Sequence, residues 1–206
     1  MAWRPLYGRG ALYELSSIGD GPGRRKARAF LNEIANEFTG RSKLFYDVMG
    51  WLPFTFRERQ THSILLPAIA AASQATVVEL PIWRKYGRGK RHGFLDYWVY
   101  HKSVLYLLEV KHSFLSVRSG LTHKGSHDSW QEAIDQVDKI PLPLIRKDLD
   151  TPVDKIFRLA LMVMPLWKSS SARALAGTDE WIRLSDSILH HSFSRGSVHS
   201  YVVRAR

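Results

Sequence analysis

Residues 93–114 have the sequence GFLDYWVYHKSVLYLLEVKHSF. It contains two apolar segments on either side of a short polar break at residues 101–103, and it places Asp96, Glu109 and Lys111 inside those segments. A buried charge is unfavourable unless it is paired with another group or coordinated by one. The stretch therefore predicts two neighbouring buried strands that carry a polar site.

The polar break sets how the two strands would pair. If the chain turns on Lys102 and Ser103, Asp96 lies directly opposite Glu109 on the neighbouring strand, with β-carbons about 4.5–5.5 Å apart. Lys111 lies on the same face as Glu109, about 6.6 Å further along the strand. Lys-Ser is not a preferred pair for a tight turn, so this register depends on the apolar pattern rather than on the turn residues.

Two carboxylates that face each other destabilise a sheet unless they share a proton or hold a cation between them. Hard oxygen ligands at this spacing suit Mg²⁺ or Mn²⁺, which keep bound water and accept phosphate oxygens. The alternative is a structural salt-bridge cluster of Asp96, Glu109 and Lys111. Such a cluster would not require this spacing, so the sequence favours a metal site.

Composition restricts the class of partner. The chain of 206 residues has 30 Lys and Arg against 19 Asp and Glu, a formal net charge of +11, which favours polyanions such as DNA. An anionic lipid surface is the weaker alternative, because no strongly amphipathic basic helix supports it. The absence of cysteine excludes disulfides, thiolate zinc sites and a cysteine nucleophile. No apolar run reaches about 18 residues, so we expect a soluble, cytoplasmic protein without a membrane partner.

Periodicity and turn signals predict alternating helices and strands. In chain order they predict an irregular arm at 1–23, a helix from Gly23, a helix at 55–73, a strand at 75–83, a basic loop at 84–93, the two strands of the opening stretch, a helix from Ser129, a strand at 156–164, a weaker helix at 178–191 and a terminal strand at 197–205. Thr55 with Glu58, and Ser129 with Glu132, have the form of capping boxes at helix starts. A strand, a crossover helix and a further strand of the same sheet imply parallel pairing, so the fold class is α/β.

Asp96 on one strand and Glu109-Val110-Lys111 on the next, inside the order helix, three strands, helix, strand, resemble the PD-(D/E)xK nuclease superfamily. The segments GFLDYWV and LLEVKHS are similar to sequences of Holliday-junction resolvases within this superfamily. The resemblance covers about residues 55–165, although Leu95 stands where the superfamily has a proline. It implies a restriction-endonuclease-like fold: a mixed four-stranded central sheet with an αβββαβ core, flanked by helices and by N- and C-terminal extensions.

The resemblance also implies a domain organisation. Residues 1–206 would form a single nuclease-like domain whose core is about 55–165. An N-terminal arm and helix at 1–54 and a C-terminal helix and strand at 166–206 would extend that core.

Roles for individual residues follow from the resemblance. Asp96 and Glu109 would ligate Mg²⁺ or Mn²⁺ together with the carbonyl of Val110. Lys111 would orient or activate the attacking water and stabilise negative charge on the phosphate. Many members add an acidic residue from the first core helix, and Glu58 is the best match. A capping role for Glu58 is the alternative, and Glu79 on the first strand is a further candidate ligand.

Basic side chains precede the aspartate strand and are predicted to bind phosphates; a solvated loop is the alternative. They are Arg84, Lys85, Arg88, Lys90 and Arg91. Together these features predict a Mg²⁺-dependent deoxyribonuclease that hydrolyses phosphodiester bonds in DNA, with an RNA substrate and a homodimer left open. The alternative function is a catalytically inactive nucleic-acid-binding or assembly module with the same fold.

Overall fold

The computed structural model describes residues 4–5, 12–16, 23–116, 124–167 and 199–203. The strands and helices follow in chain order: β1 (Arg4–Pro5), β2 (Leu12–Ser16), α1 (Arg24–Met49), a 3₁₀ turn (Pro53–Thr55), α2 (Glu58–Ala72), β3 (Ala75–Tyr86), β4 (Gly89–His101), β5 (Val104–His112), β6 (Leu115–Ser116), α3 (Lys124–Asp138), α4 (Leu142–Lys147), β7 (Lys155–Val163), β8 (Leu166–Trp167) and β9 (His199–Val203). The helix predicted at 178–191 lies outside the described residues. None of the helices in the described part of the chain is long and apolar enough to cross a membrane.

A mixed four-stranded sheet in the order β3-β4-β5-β7 forms the centre of this α/β protein. The strands β3, β4 and β5 pair antiparallel, whereas β7 pairs parallel to β5 after the crossover through α3. The predicted parallel pairing is therefore confirmed. β6 and β8 form a second, two-stranded parallel pairing at the end of β5 and β7.

The first and last strands form a small separate sheet in the order β1-β2-β9. The terminal strand is confirmed at His199–Val203, but the prediction of an irregular arm at 1–23 is wrong where β1 and β2 form. These strands are two and five residues long, too short to give a clear periodic signal. β1 pairs with β2, and the other partner of β2 is β9 at the far end of the chain.

The β4–β5 hairpin turns on Lys102 and Ser103, as predicted. Both residues have left-handed φ angles, 49° and 62°, which a two-residue turn that follows the sheet twist requires. Contacts from outside the hairpin hold this turn: the Lys102 N–H donates to Gln74 Oε1 at 2.7 Å, and the Asp154 N–H donates to the Ser103 carbonyl at 2.7 Å. These bonds explain how a Lys-Ser pair adopts a turn usually made by Asn and Gly.

Helices cover both faces of the sheet, and every residue of β5 from Val104 to Val110 is buried. One face of the sheet packs against α1 and α2 and forms the α1–α2 core, which consists of Ala27, Phe30, Ile34, Leu65, Ile69, Ala72, Tyr97, Val99, Val104, Tyr106, Leu108 and Val110. The other face packs against α3 and α4 and forms the α3–α4 core, which consists of Ile82, Leu95, Leu105, Leu107, Val137, Ile140, Ile145 and Ile156. A charged residue in β5 therefore lies between two apolar layers.

Strand β4 changes face at Asp96. Leu95 belongs to the α3–α4 core, whereas Tyr97 belongs to the α1–α2 core, although a regular strand would place both on one face. Opposite Asp96 on β3 lies Glu79, whose φ of 51° is left-handed, and the β3–β4 pairing skips this position. The break in both strands leaves Asp96 out of the regular sheet pattern.

The basic segment 84–93, predicted as a loop, forms strands instead. β3 continues to Tyr86, β4 begins at Gly89, and the turn between them contains Gly87 with a φ of 57°. The loop prediction is wrong because this part of the hairpin extends past the core, where polar residues on both faces hide the strand period.

Both predicted capping boxes are also wrong. α2 begins at Glu58 with Arg57 at the N-cap, and the Thr55 hydroxyl donates to the Leu52 carbonyl at 2.6 Å within the 3₁₀ turn. α3 begins at Lys124, so Ser129 lies inside the helix rather than at its start. A four-residue capping pattern does not by itself fix where a helix begins.

Candidate functional site

The candidate site lies where β4 and β5 separate. Pairing between these strands runs from the turn as far as Tyr97 opposite Leu108, which confirms the predicted register over that length. Beyond it, the Val110 N–H donates to Asp96 Oδ2 at 2.6 Å. The Asp96 carboxylate thus accepts the hydrogen bond in place of a backbone carbonyl. This bond fixes Asp96 beside the Glu109–Lys111 segment.

Glu109 is 2% exposed and forms a buried ion pair with Arg84, which is 7% exposed. Arg84 Nη2 donates to Glu109 Oε1 and also to the Phe94 carbonyl, the latter at 2.8 Å. Gly93 makes room for this arginine, because a β-carbon there would lie 2.6 Å from Arg84 Nη1. The structure therefore places Arg84 in a buried part of β3 and not in the predicted loop, while phosphate binding by Arg84 stays a prediction.

Burial dominates the electrostatics of Glu109. Removal from water, followed by the nearby charge of Asp96, raises the pKa of the Glu109 carboxyl to about 7, against an opposing effect of Arg84 and Lys111. The two carboxylates and the two cations therefore interact directly as one cluster. The sequence identified Asp96, Glu109 and Lys111 as members, but it missed the role of Arg84.

Lys111 lies on the side of the sheet that faces α3. Its Nζ is 3.8 Å from Glu132 Oε1, a long and partly exposed ion pair that leaves the ammonium able to change partner. Since Lys111 also influences the pKa of Glu109, it belongs to the same cluster. The structure thus brings together all three residues that the sequence placed at the centre of the site.

The two further acidic candidates lie at different places. Glu58, the first residue of α2, accepts a hydrogen bond from the His112 N–H at 3.2 Å, so its carboxylate reaches the end of β5 next to Lys111. The alternative in which Glu58 caps a helix begun at Thr55 is wrong. Glu79 is exposed and occupies the position opposite Asp96 with a strained backbone, as is often found near functional sites.

A tyrosine-histidine pair adjoins the site, and no sequence motif pointed to it. The hydroxyl of Tyr97 is hydrogen-bonded to His62 Nδ1, and the two rings stack with centroids 5.4 Å apart. Burial, and then the charge of Asp96, raises the pKa of the Tyr97 hydroxyl, so it stays protonated. Tyr97 follows Asp96 directly, and it orders the α2 side of the site.

The remaining predicted basic residues are exposed along the β3–β4 hairpin, at Lys85, Arg88, Lys90 and Arg91. Their side chains are therefore free to approach a polyanion, and their role in phosphate binding stays a prediction. Val110 contributes its N–H to Asp96, while its side chain is buried in the α1–α2 core.

The carboxylates suit a hard divalent cation, although they do not form a dense ligand cluster. Within the described ranges, no three His, Cys, Asp or Glu side chains are grouped so as to hold a metal ion. Mg²⁺ is often bound by only one or two carboxylates together with water, so Asp96 and Glu109 fit it. The positive charge beside Glu109 is supplied by Arg84 at Oε1, so a metal at Glu109 would compete with that arginine for the carboxylate.

No family model matches the chain, and no curated protein or solved structure matches it either. Function is therefore inferred from the side chains of the site. Asp96, Glu109, Lys111 and Arg84 define its chemistry, and the basic hairpin beside them defines the charge of its surroundings.

The raised pKa of Glu109 predicts that the metal-free protein loses stability as the pH rises. Between the ordinary value of 4.5 and about 7, the folded state binds more protons than the unfolded state. The free energy of unfolding should therefore fall across that interval, by up to about 3 kcal/mol, and then level off. Glu109→Gln cannot titrate and should remove this fall. Urea unfolding in EDTA at several pH values measures this fall in the free energy of unfolding.

Glu132→Gln is the matched control, because Glu132 is an exposed carboxylate of α3 close to Lys111. This control should keep the pH dependence of the parent protein. If Glu109→Gln keeps it as well, the stability change has another source and the burial argument for Glu109 is wrong.

Proposed function

We propose that this protein is a metal-dependent nuclease of the PD-(D/E)xK type, with a restriction-endonuclease-like core, that hydrolyses phosphodiester bonds in DNA. The observation that carries the proposal is the meeting of Asp96, Glu109 and Lys111 at the point where β4 and β5 separate. The order α2, β3, β4, β5, α3, β7, with the two-residue β6 and the six-residue α4 between them, supports it, because the resemblance requires a helix, three strands, a helix and a strand. The net charge of +11 supports a polyanionic substrate.

Asp96 and Glu109 would hold the Mg²⁺ or Mn²⁺ ion, with the carbonyl of Val110 as a further ligand. A divalent ion at these carboxylates supplies charge to a phosphate oxygen and lowers the pKa of a bound water. Asp96 is already fixed by the Val110 N–H, and Glu109 is fixed by its buried strand. The two carboxylates therefore need little reordering, apart from the departure of Arg84 from Glu109.

Lys111 would act on the phosphate and the attacking water. Among the described residues, the ion pair of its ammonium is the long one with Glu132, so a phosphate oxygen can compete for it. A positioned ammonium stabilises the negative charge that develops on the phosphate in the transition state. Glu58, which reaches the neighbouring His112 N–H, is the proposed additional acidic residue.

The basic hairpin would hold the nucleic acid. Lys85, Arg88, Lys90 and Arg91 are exposed and lie within seven residues of one another around a single turn. Neutralising phosphates there would release counterions and give binding that weakens with salt. The same segment leads directly into the strand that carries Asp96, so the binding residues and the site are continuous along β4.

The Arg84–Glu109 ion pair favours a second candidate function, a catalytically inactive nucleic-acid-binding or assembly module. An arginine that stays on Glu109 satisfies the buried carboxylate without any metal. In that case the basic hairpin would serve binding alone. The two functions differ in whether a divalent cation displaces Arg84 and whether the bound DNA is then cleaved.

The nuclease proposal predicts nicking of supercoiled plasmid DNA in Mg²⁺ or Mn²⁺, but not in EDTA. Lys111→Ala should lower the nicking rate on the order of 10²-fold or more, because it removes an electrostatic stabiliser of the transition state. DNA affinity should change little, since the effect is on turnover. Gel-based nicking and a separate binding titration measure the two quantities.

The matched control for this variant is Lys102→Ala, an exposed lysine at the opposite end of the β4–β5 hairpin, which should nick like the parent. A parent protein that binds DNA but never nicks it in either metal would support the inactive module. Nicking by Lys111→Ala at the parent rate would remove the lysine from the mechanism.

Competition between Arg84 and the metal gives a separate prediction. At pH 8, Arg84→Met should destabilise the metal-free protein by about 3 kcal/mol, because it leaves the buried Glu109 without its partner. Mn²⁺ should then raise the unfolding temperature more in Arg84→Met than in the parent, since it no longer displaces an arginine. Thermal unfolding across a Mn²⁺ titration measures both effects.

Arg88→Met, at the exposed turn of the same hairpin, should change neither the stability nor the Mn²⁺ response. An equal Mn²⁺ response in the parent and in Arg84→Met would contradict the idea that arginine and metal share Glu109.

A further inference from the structure

The outer face of the β3–β4 hairpin carries a continuous row of aromatic rings. Trp83 and Phe94 are 54% and 57% exposed. The ring of His92 lies between them, with its centroid 5.4 Å from that of Trp83 and 5.5 Å from that of Phe94, edge to face in both cases. These three side chains form the aromatic row.

The strand period explains why the three rings share a face. Trp83 pairs with His92 across the hairpin, and Phe94 follows His92 by two residues. The neighbours Ile82 and Leu95 point to the other face and are buried in the α3–α4 core. The hairpin therefore has one face fixed to the core, while the aromatic row is left open to solvent.

The far end of the hairpin is held in place. The Lys85 N–H donates to the Lys139 carbonyl at the end of α3, with a distance of 2.9 Å. The ring of Tyr86 lies between the Arg91 guanidinium, 5.2 Å from its centroid, and the Lys139 ammonium, at 4.7 Å. These contacts attach the tip to α3, so the aromatic row is a preorganised surface and not part of a free loop.

The charged residues of the hairpin between Leu80 and Leu95 are all cations. Lys85 and Lys90 pair with each other on the same face as the row, and Arg88 lies at the turn. The segment from Leu80 to Leu95 contains no aspartate or glutamate. Exposed rings among positive charges match a strand of nucleic acid, whose bases stack on aromatic side chains while its phosphates pair with cations.

We propose that the aromatic row binds unpaired nucleobases, so that the preferred substrate is DNA with a single-stranded segment. The inference rests on the proposed nuclease function and names its substrate class. Phe94 precedes Asp96 by two residues, about 6.6 Å along the strand, so bases stacked on the row lie near the Asp96 segment of β4, on the face opposite Leu95 and the α3–α4 core. Intact duplex DNA cannot use this surface, because its base faces are already stacked on one another.

A second copy of this chain is a poor occupant of the same surface. Two hairpins packed face to face would bring Lys85 and Lys90 of both copies together, and like charges at an interface are strongly unfavourable. A nucleic acid strand supplies both the opposite charge and flat base faces that can stack on the aromatic row.

The test compares binding of a short single-stranded oligodeoxythymidylate with binding of a duplex of the same length. Fluorescence anisotropy in EDTA measures both without cleavage. Trp83→Ala and Phe94→Ala should each weaken single-strand affinity about tenfold, while duplex affinity changes by less than about twofold. Trp83→Phe should retain single-strand binding. Trp83→Leu should lose it, because stacking needs a ring rather than an apolar side chain.

Trp51→Ala is the matched control, since this exposed tryptophan packs edge-on against Phe45 and Phe56 between α1 and α2 and lies outside the row. It should bind both ligands like the parent. The inference would be overturned if Trp83→Ala lost single-strand and duplex affinity equally, or lost neither. It would also be overturned if Trp83→Leu bound single strands like the parent. A change of oligomeric state in Trp83→Ala with unchanged single-strand affinity would instead identify a protein interface.

The two proposals fail in distinguishable ways. If the parent never nicks DNA but binds single strands through Trp83, the nuclease proposal is rejected and the aromatic-row proposal is kept. If the parent nicks DNA and Trp83→Ala binds single strands with the parent's affinity, only the aromatic-row proposal is rejected.

Discussion

The buried ion pair between Arg84 and Glu109 is the interaction on which the rest of the site depends. Glu109 lies in the most deeply buried strand of the sheet, between two apolar cores, where a lone carboxylate would be strongly destabilising. Arg84 reaches it because β3 extends beyond the core and because Gly93 leaves space for the guanidinium. The long β3–β4 hairpin and the charged site are therefore parts of one arrangement.

Asp96 adds a second negative charge to this arrangement without entering the regular sheet. The change of face in β4 and the left-handed Glu79 opposite it free the Asp96 side chain to accept the Val110 N–H. In the metal-free protein, the positive charges of Arg84 and Lys111 then balance the negative charges of Asp96 and Glu109. Exchanging Arg84 for a divalent ion would convert the same carboxylates from a structural pair into a reactive site, and it would leave Lys111 facing the substrate.

The sequence predicted the central hairpin and its register because both strands are long, apolar and interrupted only at the turn. It also predicted the parallel β7 and the grouping of Asp96, Glu109 and Lys111. It did not predict the partner of Glu109, because Arg84 stands among lysines, arginines and glycines that look like a solvated loop. The face change at Asp96 was missed as well, since it depends on the backbone angle of Glu79, which no side-chain period encodes.

A crystal structure of the protein soaked in Mn²⁺ would show whether the metal replaces Arg84 on Glu109, because the anomalous scattering of manganese locates the ion. We expect an anomalous peak bound by the carboxylates of Asp96 and Glu109, with the Arg84 guanidinium moved away from Glu109. A fully occupied Arg84–Glu109 pair at saturating Mn²⁺, with no peak at these carboxylates, would contradict this exchange.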